Sequence, residues 1–114
     1  MAYLKNFSGQ ILLVIDNDQI KEFGGKILYK IDNNYVKDFY GKIIYKIDGN
    51  YIKDFCGRIL LNVSYDQVKE FSGQIIAKFD TSYIKSFSGQ IQYKIDGFLT
   101  RRQIMALLAL LYAS

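Results

Sequence analysis

Tyr35-Val36-Lys37-Asp38-Phe39-Tyr40-Gly41-Lys42-Ile43-Ile44-Tyr45-Lys46-Ile47-Asp48-Gly49-Asn50 is one unit of 16 residues, and the chain uses it six times. The units begin at Tyr3, Gln19, Tyr35, Tyr51, Gln67 and Tyr83. The third position is always Lys: Lys5, Lys21, Lys37, Lys53, Lys69 and Lys85. The fifth is always Phe, the seventh always Gly and the ninth always Ile. A period this regular is the signature of a repeat architecture.

Each unit carries two hairpin signals. One is an X-Gly pair ending at Gly9, Gly25, Gly41, Gly57, Gly73 or Gly89, where Gly supplies the positive φ of a tight turn. The other is Asn17-Asp18, Asn33-Asn34, Gly49-Asn50, Tyr65-Asp66, Thr81-Ser82 and Gly97-Phe98. Asn and Gly suit such turns; Tyr65-Asp66 and Thr81-Ser82 suit them less. Between the turns run strands rich in Ile, Tyr, Phe and Val. The expectation is twelve antiparallel strands in up-and-down order, a mainly β fold.

Two-residue loops at both turns fix a register. Position 14 then pairs with position 1 of the next unit, and position 5 with position 8 of its own. Positions 2, 9, 11 and 13 share one face, as Val36, Ile43, Tyr45 and Ile47 do, and no residue at these positions in any unit is charged. Such a register displaces the ladder by two residues per unit, so six units give a shear equal to the strand number. That corresponds to a tilt of about 36°, which suits a closed barrel. The alternative is a curled open sheet.

Residues 1–98 are thus six β-hairpin repeats, and 99–114 a C-terminal helix of the same single domain. Thr100-Arg101-Arg102-Gln103 reads as a capping box, with Leu99 and Ile104 at staple positions. Ile104 to Leu111 carries no polar residue. A helix apolar all round is a buried helix, and 14 residues would run about 21 Å, close to the height of a tilted strand. The expected place is inside the barrel; the alternatives are packing on an open sheet or at a dimer interface.

The six hairpins followed by Arg102-Gln103-Ile104-Met105-Ala106-Leu107-Leu108-Ala109-Leu110-Leu111 resemble the barrel of the tubby and LURP-one families, twelve strands around a C-terminal helix. Tubby-type barrels bind phosphoinositide head groups, so the resemblance implies an anionic lipid head group as a candidate ligand. No diagnostic functional motif of either family is identifiable in this sequence. The repeat text itself is similar to uncharacterised short bacterial β-hairpin-repeat proteins, a likeness that assigns no activity.

Composition narrows the function classes. The 114 residues include no His and no Pro, with 15 Lys and Arg against 11 Asp and Glu. Without His the commonest general base and metal ligand are missing, so the reading is not an enzyme, with no metal and no cofactor. The absence of Pro fits strands whose every interior residue donates to a ladder. The net charge of +4 is mild, and acids interleave with the lysines, which makes nucleic acid an unlikely partner. The single Cys56 has no activating base. No signal peptide or transmembrane segment is evident, and a cytoplasmic location is expected. A membrane-surface role is weak, because an in-plane helix needs a polar face.

Two outer features remain. Lys21, Lys37, Lys53 and Lys69, beside Tyr35 and Tyr51, form rows that would suit an anionic lipid head group or a carbohydrate. Phe23, Phe39, Phe55 and Phe71, with Phe7 and Phe87, face outward, Phe23 opposite Leu12 and Phe39 opposite Leu28. They form an apolar belt of the kind that marks an oligomer or partner interface. Asn6, Glu22, Asp38, Asp54, Glu70 and Ser86 are expected to point inward near one mouth, with Asp38 bonded to Tyr29 across the ladder. The leading expectation is a non-catalytic structural or interaction module, self-associating as a homo-oligomer through the Phe belt.

Overall fold

A computed structural model describes residues 1–113; Ser114, the last residue of the segment expected as helix, lies outside the described residues. The strands are β1 (Ala2–Asn6), β2 (Ile11–Asp16), β3 (Gln19–Lys21), β4 (Ile27–Asp32), β5 (Tyr35–Asp38) and β6 (Ile43–Asp48). They continue as β7 (Tyr51–Lys53), β8 (Ile59–Ser64), β9 (Gln67–Glu70), β10 (Ile75–Phe79), β11 (Tyr83–Ser86) and β12 (Ile91–Asp96). One helix, α1 (Arg101–Tyr112), follows. Each strand pairs with its neighbours in the chain, and β1 pairs with β12, so the sheet closes into an antiparallel barrel. Closure leaves no edge strand.

The register between units is the expected one. Asp16 lies opposite Gln19 and Ile15 opposite Ile20. The closing seam repeats it, with Asp96 opposite Tyr3 and Ile95 opposite Leu4. The last unit therefore meets the first as each unit meets the next, which is why the ring closes without a mismatch.

Within units the Gly loop differs from expectation. The Gly41 N–H donates to the Asp38 carbonyl at 3.0 Å, and the Asp38 N–H to the Lys42 carbonyl at 2.9 Å. This is a three-residue loop, Phe39-Tyr40-Gly41, with Gly41 at φ +87°. The other five Gly loops are closed by the same pair of bonds. A bulge on the long strand absorbs the extra residue: Lys37 lies opposite Ile43, Val36 opposite Tyr45, and Ile44 has no partner.

The consequence is a correction at two positions. The invariant Ile of position 9 pairs with the Lys of position 3 and so shares its outer face. In three units position 10 turns inward in its place: Ile44, Leu60 and Ile76 pack against the core, whereas Leu12 is exposed. Positions 2, 11 and 13 stay inside as expected; Leu4, Ile20, Val36, Ile52, Val68 and Ile84 are fully buried. The Phe residues leave the ladder altogether: Val14 faces Lys21, Leu12 is unpaired, and Phe23 sits in the loop.

α1 fills the barrel. Six consecutive residues, Ile104 to Ala109, are buried, so every side of the helix is covered, and they share one core cluster with the strands. Twelve residues make about 18 Å of helix, matched to the 20 Å shortest extent of the molecule. The capping box forms: the Thr100 Oγ1 accepts from the Gln103 N–H at 3.2 Å, and the Gln103 Oε1 accepts from the Thr100 N–H at 2.9 Å.

Candidate functional site

Up-and-down order puts all six Gly loops on one rim. Each presents its Phe as the first loop residue, and Phe7, Phe23, Phe39, Phe55, Phe71 and Phe87 are 54–78% exposed. The apolar feature is a crown at one end, not a belt round the wall. Asn6, Asp38, Asp54 and Ser86 tie four of these loops to their own backbone. They do not bond across the ladder; their side chains accept N–H groups of their own loops. The Asp38 Oδ1 takes the N–H of Tyr40 at 2.9 Å and of Lys42 at 3.0 Å. Asp54 does the same with Cys56 and Arg58. The Arg58 N–H, helped by that of Cys56 and by the Arg58 charge, holds the Asp54 carboxyl below its ordinary range despite some desolvation.

The opposite rim holds the N-terminus of α1. Arg101 donates to the Asn50 Oδ1 and the Val63 carbonyl, Arg102 to Asp18, and Gln103 to the Asn17 carbonyl. The C-terminal end of α1 therefore points toward the Phe rim, where the Tyr112 hydroxyl donates to the Gln92 Oε1 at 2.7 Å. Burial, and then the charge of Tyr93, push the Tyr112 hydroxyl up to about 12.

The Lys rows lie on the outer wall. Lys5, Lys21, Lys37 and Lys53 each reach the position-14 Asp of the preceding unit, Asp96, Asp16, Asp32 and Asp48, at 2.9, 3.2, 2.7 and 2.7 Å. Bonding to Lys37 holds the Asp32 carboxyl low. These pairs relieve the like charges that stand opposite in the ladder, such as Lys30 and Lys37 or Lys46 and Lys53. Lys69 meets Ser64 rather than Asp in that position and makes no ion pair among the described residues. Tyr35 and Tyr51 are exposed beside the rows, opposite Lys46 and Asn62.

Sequence reasoning missed one feature. A cavity of about 280 Å³ opens on the α1 N-terminal rim, lined by Tyr65, Asp66, Phe79, Asp80, Thr81, Ile95, Gly97, Phe98, Leu99, Arg101 and Ile104. Departures from the repeat built it. Tyr65 stands at φ +57° where the first three units have Asn17, Asn33 and Gly49. Phe79 replaces Ile or Val. At Thr81-Ser82 the loop is held by the Asp80 Oδ1, which accepts the N–H groups of Ser82 and Tyr83, both at 2.8 Å. Position-by-position comparison of the units was the signal that could have found it.

Among the described residues no three His, Cys, Asp or Glu side chains converge, and no helix is long and apolar enough to cross a membrane. Comparison with protein-family models, with curated proteins and with solved structures finds no match.

Proposed function

We propose that this protein is a non-catalytic interaction module that self-associates through its Phe rim. The observation that carries the reading is the crown of six exposed Phe side chains on one end. All six Phe residues stay more than half exposed, so most of their apolar surface contributes nothing to the fold of a single chain. A second surface that covers it gains roughly 25 cal/mol for each Å² of apolar area removed from water. Exposed apolar groups gathered on one rim are what association surfaces are made of.

Light scattering on the full chain over a range of concentrations tests this. The wild type is expected to run as a dimer or larger, and a variant with all six rim Phe changed to Ser as a monomer. A wild type that stays monomeric throughout removes the reading.

The resemblance to tubby-type barrels supports a second reading, an anionic head group or carbohydrate held by the Lys and Tyr rows. An anion at Lys21, Lys37 or Lys53 would compete with an Asp already bonded there. Binding of anionic-lipid vesicles that is lost on changing Lys69 and Lys37 to Gln would favour it.

A further inference from the structure

The ring of hairpin units closes at the β1–β12 seam, which has no covalent loop and the same register as the seams between units. A block of units that leaves the ring therefore finds the same strand partners in a second copy. We propose that two copies exchange units 5 and 6 together with α1, with Tyr65-Asp66 as the hinge, and so form a domain-swapped dimer. This mode of association does not use the Phe rim and is independent of that reading.

Two observations single out this hinge. The first is backbone strain. Tyr65 adopts φ +57°, where a bulky side chain is an outlier. Asn17, Asn33 and Gly49, the equivalent residues of the first three units, suit a positive φ. The Tyr65 ring is 92% exposed, so packing of the ring does not offset the strain. In the exchanged form the hinge runs straight on from β8 to β9, and both copies of Tyr65 return to the extended region that Tyr prefers. Strain in a short hinge loop favours exchange for this reason.

The second is the seam itself. Lys5, Lys21, Lys37 and Lys53 each bridge their seam to an Asp of the preceding unit. At the β10–β11 seam the Asp80 Oδ1 ties the loop by accepting the N–H groups of Ser82 and Tyr83. At the β8–β9 seam Ser64 stands in place of the Asp, and neither tie is present among the described residues.

Apart from the hinge turn, exchange restores the strand pairing of the closed barrel. Ser64 again meets Gln67 and Val63 meets Val68, now from different chains. β12 of one copy closes on β1 of the other, with Asp96 opposite Tyr3. Each barrel keeps one helix, and the two-fold dimer is closed. From Ser64 to Gln67 an extended chain spans about 10 Å, so the two barrels meet at the rim that holds the N-terminus of α1. Exchange requires the ring to open, so it is slow in folded protein and is set during folding at high concentration.

Disulfide trapping on the full chain tests this. In a C56S background, N62C and K69C place two cysteines directly opposite on β8 and β9. Opposed residues of antiparallel strands lie about 4.5–5.5 Å apart, within disulfide reach. The protein is refolded from urea at high concentration, monomer and dimer are separated by size, and each is diluted and oxidised. The monomer is expected to form the bond within its chain. The dimer is expected to form it between chains and to stay a dimer on a non-reducing denaturing gel, also when all six rim Phe are changed to Ser. Y65N relieves the strained φ, so it should melt no lower than wild type and dimerise on refolding at least fivefold more weakly. A dimer whose bond stays within each chain overturns the exchange and leaves association through the Phe rim standing. So does a dimer that disappears with the rim Phe. A Y65N protein that dimerises on refolding as well as wild type overturns the hinge, and the proposal with it. A chain that is monomeric at every concentration, folded or refolded, overturns both modes.

Discussion

At Gly97 the chain leaves β12 with φ +109°, and a Cβ there would sit 2.9 Å from the Met1 carbonyl oxygen and 3.0 Å from the Ala2 Cα. Gly41 has a similar φ, +87°, but open space around it. The two glycines separate backbone conformation from packing. Gly41→Ala should cost about 1–2 kcal/mol, the ordinary penalty for a Cβ at positive φ. Gly97→Ala should cost clearly more, because the N-terminal strand must also shift at the seam. Urea denaturation midpoints of the two variants check this; equal costs would mean the seam tolerates the added atom. Tyr112 gives a pH prediction. Its folded value lies near 12 against an ordinary 10.0. A raised value means that the neutral hydroxyl is favoured in the fold. Its contribution is therefore present below pH 10 and lost as pH rises toward 12. Thermal melts of wild type and Tyr112→Phe between pH 9 and 12 should show a steeper alkaline loss in the wild type. The depressed carboxyls of Asp54 and Asp80 act in the opposite sense. Their contribution is present above about pH 4 and lost as pH falls below it.

Among the elements, α1 carries the core. Leu107 and Leu108 have no exposed surface and stand on different sides of the helix, so the barrel wall grips both. Leu107→Ala should cost about 2–5 kcal/mol through lost transfer energy and the cavity it leaves. Thr100→Ala removes the cap but leaves the apolar face, and should cost about 1 kcal/mol. Chemical denaturation ranks the two; a cap loss as large as the core loss would mean the helix is held by its end rather than by its burial. The hairpins owe their rigidity to short-range bonds. The Asp38 carboxylate takes two loop N–H groups, and Gly41 closes the loop. Four of the six Phe tips are therefore presented by loops tied at both backbone and side chain, which lowers the entropy lost when another surface covers them.

For the molecule as a whole, size and register are linked. Every seam has the register of the β1–β12 seam, so removing one whole unit, residues 35–50, leaves strands that still pair. A barrel's diameter grows roughly linearly with strand number. Ten strands would then enclose too little space for a helix wrapped in Ile, Val and Tyr side chains. The deletion variant should keep its β circular dichroism, expose the apolar face of α1, bind a hydrophobic dye and lose its cooperative melt. A dye-silent, cooperatively folded variant would show that the helix does not set the ring size.

The sequence alone determined the repeat, the twelve strands, the inter-unit register and the capped apolar helix. All of these follow from local periodicity, from turn residues and from face alternation, which a chain carries within a few residues. It also placed positions 2, 11 and 13 inside, because those positions lie on the side of the bulge where the ladder is regular. It misplaced Ile43 and its equivalents, the Phe row and the side chain of Asp38. A Gly at positive φ serves a two-residue and a three-residue loop equally well, and a bulge lets alternation skip one residue without leaving a mark in composition. Only the tertiary structure decided three things: that Phe stands at the tips, that the loop-side carboxylates turn back onto their own backbone, and that Tyr65, Phe79 and Phe98 meet at one mouth. The last depends on β12, the Gly97 turn and the start of α1 coming together across the closed ring, contacts between residues far apart in the chain that no local pattern encodes.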